Sequence, residues 1–330
     1  MYFKIKNFLF YGLKYMGIYD FFSFLNRNSI PILCYHGVST QDEHEFMPSN
    51  FIKFKTFKKR IEILEKRGYK IISLEQACDQ VKNNSVQGKN VVLTIDDGFY
   101  PIFDELIPYL IDKRIPITCY ITSYKSQHET PIFRLLVQYI FWKAKTSSAT
   151  ITSYTNSEVS IDTMWDFINF AESNLTREQR LETAKELAQK LNVPLNDERL
   201  RAYSIANKQT LKEFGTRGLD LQLHTHKHNM NLPLDKLKVD IQKNKDYLSG
   251  TTDNKLVHFC YPSGVWKKEH FDILKGLGVQ TATTCDDGFL NKDTNLFSIP
   301  RIIDSENISS IVFESELSGF GLWIRKLFSK

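Results

Sequence analysis

Six short runs of almost uninterrupted apolar residues, at 30–35, 91–95, 117–122, 219–223, 256–261 and 279–284, constrain this chain more than any other feature. Such runs are too short for a buried helix and too continuous for a strand with one wet face. They read as strands covered on both sides, the pattern of a parallel sheet or barrel. Helical patterns lie between them. Phe54, Phe57, Ile61 and Leu64 share a face in KFKTFKKRIEILEKRG, with Gly68 as the stop, and Phe103, Leu106, Ile107 and Leu110 repeat the spacing. Further helices are expected at 235–248 and 269–277. Strands alternating with helices predict an α/β domain, with a barrel as one standard closure. The rhythm breaks at about 131–215, a polar, helical stretch without a strand of comparable strength, which reads as a helical insertion or lid.

The chain of 330 residues is 42% hydrophobic and 13% aromatic, enough for a packed core of one large domain or two medium ones. Its net charge of +5 is spread widely and does not argue for nucleic acid; no RNA or DNA module signature is present. The five cysteines are odd in number and scattered, and three of them lie in apolar runs, which implies a reducing compartment. The segment 1–29 has apolar residues broken by Lys4, Lys6, Lys14 and Asp20. It lacks both a signal-peptide cleavage pattern and a span-length apolar stretch. It reads instead as a basic, aromatic amphipathic segment, and 311–330, ending GLWIRKLFSK, has the same character. Either end can lie on a membrane surface or pack on the domain. The expected location is the cytoplasm, with contact to the inner face of the membrane.

Most of the apolar runs end in something polar. His36 follows ILCY, Asp96 and Asp97 follow VVLTI, His224 follows LDLQL, and Pro262-Ser263-Gly264 follows VHFCY. In a parallel barrel the C-terminal strand ends open on one face, so these residues would meet. Two imidazoles four residues apart, His224 and His228, plus a carboxylate are the usual protein ligands of a catalytic zinc-type site with one open position. One Asp of the pair completes the set and the other is left as a base. The metal charge also removes the repulsion between the two neighbouring carboxylates.

TIDDG, the H-T-x-x-H spacing of 224–228 and the CYPSG segment resemble the motif series of the polysaccharide deacetylases, the carbohydrate esterase family 4 or NodB-homology fold. PILCYHGV, GYKIISL, TATTCDDGFLN and IPRI add to the resemblance, which covers most of 30–305 and does not extend to the insertion or the termini. It implies a distorted (β/α) barrel over 30–310 and removal of an N-acetyl group from an amino sugar. On it, Asp97, His224 and His228 match the metal ligands and Asp96 the general base. The metal would be divalent, Zn2+ in the first instance, with Co2+, Ni2+ or Mn2+ as alternatives. A backbone N–H near Ser263 would hold the oxyanion, with Tyr261 and Trp266 beside the substrate, an N-acetylated sugar or lipid-linked glycan.

The chain departs from the family pattern at Cys260, where an Arg often stands, and at Ser263, in place of an aromatic residue. Arg301, in IPRI, is the expected substitute for the missing charge. A His near the C-terminus is also missing, since none follows His270. His36 is the candidate general acid, as in relatives whose C-terminal motif has moved ahead of the Asp pair, with Asp304 as an orienting partner. For Trp266 and Arg301, core packing and a surface salt bridge are the plainer alternatives. Asp286-Asp287 reads as a turn, and His258 as structural. A glycan-binding barrel without turnover, and a metal amidohydrolase acting on another amide, would carry similar parts; the completeness of the site favours an enzyme.

Overall fold

The computed structural model describes residues 2–146, 148–151 and 159–328. Among the described residues eight parallel strands form one sheet: β1 (Ile32–Tyr35), β2 (Tyr69–Ile71), β3 (Lys89–Ile95), β4 (Thr118–Ile121), β5 (Asp220–Leu223), β6 (His258–Cys260), β7 (Thr281–Thr283) and β8 (Ile302–Ile303). Their order is β7-β6-β5-β4-β3-β1-β8, with β2 paired to the first residues of β3. Thr283 bridges Ile299, just ahead of β8, so the two edges of the sheet approach and the whole curls into a distorted barrel. Each of the six apolar runs contains one strand. β2 and β8 escape the sequence pattern because neither is a run buried on both faces: Tyr69, Lys70 and Ile71 all keep contact with solvent, and Ile303 of the two-residue β8 is exposed.

β1, β4 and all of β3 beyond Lys89 are buried, as parallel strands under helices must be. The helices Phe54–Lys66, Leu74–Lys82, Leu106–Asp112, Lys208–Thr216, Leu234–Ser249 and Glu269–Gly276 supply the cover. Phe57, Ile61 and Leu64 turn inward from the first of these, and Gly68, at φ +75°, ends it with its N–H on the Glu65 carbonyl.

The stretch between β4 and β5 contains the helices Phe133–Ala144, Met164–Asn174, Arg177–Lys190 and Asp197–Ala202, together with a hairpin of Ala149–Ile151 and Val159–Ile161. Leu136, Tyr139, Ile140, Phe167 and Leu187 give it a core of its own. Leu211 and Phe214, on the helix Lys208–Thr216, belong to the barrel core instead. Arg199 ties this unit to the loop after β1 through Asp42 and Glu43, and Lys143 adds a 2.9 Å pair with Asp42.

The two ends of the chain pack together. Phe10 and Tyr19, from the helices Tyr2–Tyr15 and Ile18–Leu25, meet Ile311 and Phe320 from Ser310–Ser318 and Phe320–Phe328. Their outer surface stays apolar, with Phe8, Tyr15, Phe21, Phe24, Trp323 and Phe328 all exposed. Asn26 to Ser29 lead directly into β1, so this patch adjoins the N-terminal ends of the strands.

Candidate metal and acid–base site

β3 delivers Asp96 and Asp97, β5 delivers His224, and β1 delivers His36, all from C-terminal strand ends. Asp97 takes a left-handed conformation, φ +70°, which turns it away from the direction of Asp96; Gly98 follows at φ +85°. A Cβ on Gly98 would lie 2.6 Å from Ile121 Cδ1, so glycine is required at that turn. Thr225, His228 and Ser263 also lie at positive φ. Several non-glycine residues in this region, each costing about 1–3 kcal/mol, mark a place where geometry takes precedence over stability.

Asp97 Oδ1 lies 3.4 Å from His224 Nε2 and 3.2 Å from His228 Nε2. His224 Nδ1 is 2.9 Å from the Cys260 carbonyl, so it donates there and Nε2 is the ring nitrogen that faces Asp97. Asn244, buried in the helix Leu234–Ser249, accepts the His224 backbone N–H at 2.9 Å and donates to the Ile121 carbonyl and Ser123 Oγ. Nothing in the sequence around Asn244 signals that role. Desolvation would raise the buried Asp97 carboxyl, but the charge of His228 and a hydrogen bond from His224 hold it at about 2. Burial pushes His228 down, toward the neutral form that ligates metal. His224 is pushed up, with Cys260 and Asp97 outweighing its burial.

Asp96 is enclosed differently. Arg301 Nη1 and Nη2 meet its two oxygens at 2.8 and 2.7 Å, a bidentate pair with Arg301 fully buried and Asp96 nearly so. Arg301 also donates to the Thr284 carbonyl at 2.8 Å and Thr94 Oγ1 at 3.1 Å. Burial would raise the Asp96 carboxyl, but the guanidinium overrides it and holds it well below the usual carboxylate range. Arg301 lies in the IPRI segment. It stands one residue before β8 and reaches Asp96 from inside the barrel, which excludes the surface salt bridge.

Three overlapping groups among the described residues could hold a metal ion: Asp97 with His224 and His228, Asp96 with His224 and Cys260, and Cys34 with His36 and Asp96. The guanidinium fork on Asp96 disfavours a cation in the second and third, and burial pushes the Cys34 thiol up, away from the thiolate a metal needs. The first group has an accessible side, since the His228 side chain is 39% exposed. Its two nitrogens and one oxygen suit a divalent transition metal and do not distinguish between metals.

His36 Nε2 lies 4.0 Å from Asp96 Oδ2, with the side chain 20% exposed. Asp304 does not orient it. That carboxylate pairs with Arg60 at 2.8 Å, and His36 Nδ1 has no hydrogen-bond partner among the described residues. Two expected substrate-facing side chains are turned elsewhere. Tyr261 is fully buried, its hydroxyl donating to the Phe297 carbonyl at 2.9 Å, because just past β6 it falls on the same side as Phe259 and joins that residue in the core. Trp266 stacks on Phe271 at 5.6 Å and donates Nε1–H to Asp286 at 2.8 Å, so packing is its role. Ser263, at φ +54° in the turn Pro262–Gly264, remains at the site as an exposed residue. His226, between the two imidazoles in sequence, has its Nδ1 2.9 Å from Ser123 Oγ. His258 is bonded to Thr281 Oγ1 at 2.7 Å inside the fold.

The family profile described as Polysaccharide deacetylase matches residues 83–282, well over half of the chain. No curated protein gives a significant match by sequence. Among solved structures, the Streptococcus pyogenes deacetylase PplD in complex with acetate superposes with a TM-score of 0.58 at 18% identity, over 88% of this chain and 98% of that one. IcaB from Ammonifex degensii gives 0.58 at 16%, over 88% and 97%. The de-N-acetylase from Aggregatibacter actinomycetemcomitans gives 0.54 at 15%, over 87% and 99%. At these identities the structural matches speak to the fold, a NodB-type barrel.

Proposed function

The chain belongs to the polysaccharide deacetylase family and is a carbohydrate deacetylase, and we propose that Asp97, His224 and His228 hold its divalent metal while Asp96 and His36 move the protons. When bound, the metal polarises the amide carbonyl and acidifies water. Asp96, kept anionic by Arg301, takes the proton of the attacking water. The Ser263 backbone N–H, turned outward at positive φ, donates to the developing oxyanion. His36 gives a proton to the departing sugar nitrogen, which leaves poorly as an anion. The observation that carries this reading is the division of the Asp pair: two adjacent carboxylates, one locked to a guanidinium and the other facing two imidazole nitrogens. Zinc is the first metal to test, since the ligand set is of the kind zinc uses in hydrolases.

The experiment is acetate release from N-acetylated sugars by protein stripped of metal and then reloaded with Zn2+, Co2+, Ni2+ or Mn2+. Activity should return with metal in a 1:1 ratio, as a site built from one ligand set requires. Undiminished turnover by fully stripped protein would refute the assignment.

The finer reading is a cytoplasmic protein that rests on the membrane and acts on a glycan precursor, lipid-linked among the candidates. The thiols support a reducing location: all five cysteines are free and four are buried. The terminal helices support the contact, because their exposed aromatic surface carries exposed Arg27 and Lys326, with Arg27 over the Phe24 ring at 4.4 Å. No helix among the described residues is long and apolar enough to cross a membrane. Flotation with anionic liposomes at low salt should carry the protein upward, and a Phe21→Ser/Phe24→Ser/Trp323→Ser variant should stay below. Sedimentation of the wild-type protein as a dimer that ignores liposomes would assign the surface to a second copy instead.

A further inference from the structure

We infer that the unit inserted between β4 and β5 and the loop after β1 form a second glycan subsite, an aromatic groove that holds sugars beyond the one being deacetylated. The inference rests on the deacetylase reading for its ligand class. The groove has a volume of about 420 Å³, within the usual size of small-molecule sites, and its walls include Phe46, Trp142, Met164 and Trp165, with Gln138 and Thr163 among the polar residues.

Its position follows from connectivity. The insertion leaves the sheet at the C-terminal end of β4, and Phe46 lies in the connection that leaves the C-terminal end of β1 through His36. Both walls therefore rise from the end of the barrel that carries Asp96 and Asp97. Ring contacts run from one place to the other: Trp142 to Phe46 at 5.5 Å, Phe46 to Tyr203 at 6.0 Å, Tyr203 to Phe51 at 6.4 Å, and Phe51 to Phe99 at 5.1 Å. Phe99 is two residues past Asp97. The ion pairs of Arg199 and Lys143 with Asp42 and Glu43 fix the two walls against each other, so the groove is preformed.

Its chemistry favours a sugar over an acyl chain. Trp165 is 52% exposed, a large apolar ring left to water in the first turn of the helix Met164–Asn174. That turn is held by the Thr163 cap, which accepts the Asp166 N–H at 3.1 Å, so the exposure does not come from a frayed end. A pyranose presents an apolar face and a rim of hydroxyls, and the groove is lined by two indole rings with the Gln138 amide and the Thr163 hydroxyl nearby. An acyl chain would find no enclosed, dry slot there.

The test uses the full-length, metal-loaded protein, with N-acetylglucosamine as the monomer and as β-1,4- and β-1,6-linked hexamers. One hexamer should quench tryptophan emission in the wild type and fail to do so in Trp165→Ala. kcat/KM on that hexamer should fall roughly tenfold in Trp165→Ala and Trp142→Ala, mainly through KM, while turnover of the monomer stays within about twofold. Equal losses on monomer and hexamer would reduce the groove to a structural role and overturn the inference, as would a wild type that neither hexamer quenches. Quenching that depends on Trp165, in a protein that releases no acetate from any substrate, would keep the groove and refute the deacetylase assignment instead.

Discussion

The two halves of the site start from the same residue type at consecutive positions and diverge completely. Asp96 points into the barrel, where Arg301 saturates both of its oxygens, and Asp97, turned by a left-handed backbone, faces the Nε2 atoms of His224 and His228. The inner half has its countercharge covalently built in and needs no ion. The outer half has one carboxylate against two imidazoles with an accessible side, and it is the half proposed to hold the cation. Neighbouring carboxylates take different tasks because the surroundings, not the side chains, decide what each one can bind.

The largest effect should separate the halves directly. Asp97→Ala and His224→Ala lose bound metal, and activity falls to background. Asp96→Asn keeps stoichiometric metal while turnover drops by roughly 10² to 10⁴, the usual weight of general acid–base catalysis. Metal analysis alongside acetate release reads both, and equal metal loss in Asp96→Asn and Asp97→Ala would erase the distinction.

Next in size is Arg301→Met, which leaves Asp96 buried without its partner. Removing one member of a buried pair typically costs about 3–5 kcal/mol, measurable by denaturant unfolding. The sign with pH follows from the pair: Arg301 depresses Asp96, so its contribution is complete above about pH 4 and is lost as pH falls through the lower, folded-state value. Without Arg301 the Asp96 carboxyl moves up, and the acid limb of the activity profile should move to higher pH. A variant with an unshifted limb would show that Arg301 braces the barrel without tuning the base.

The smallest and most selective change is His36→Ala. Metal should stay, turnover of an N-acetyl sugar should fall by about 10²-fold or more, and turnover of an aryl acetate, whose phenolate leaves unprotonated, should fall much less. Equal loss on both substrates would place His36 beside the inner half as a structural neighbour of Asp96.

The clustering of the polar ends was legible before any coordinates because apolar runs mark parallel strands, and parallel strands deliver their last residues to one face. Asp96, Asp97, His224 and His36 each follow such a run. Tyr261 and Trp266 were misread for the opposite reason: nearness in sequence to the CYPSG turn says nothing about which way a ring points, and one ring went to the core while the other stacked on Phe271. Asn244 gave no signal and Asp304 was assigned to His36 although it pairs with Arg60, since a polar residue on a helix or after a short strand is ordinary until its partner is known.

Local pattern thus determined six of the eight strands of the sheet, most of the helices and which polar residues follow those strands, because hydrophobic periodicity and turn chemistry act over a few residues and are written in the order of the chain. Only the tertiary structure decided that Arg301 meets Asp96, that Asn244 holds His224, and that Phe46 faces the insertion. Each of those contacts joins elements far apart in the chain, and their pairing is set by how the sheet curls and packs, which no local pattern encodes.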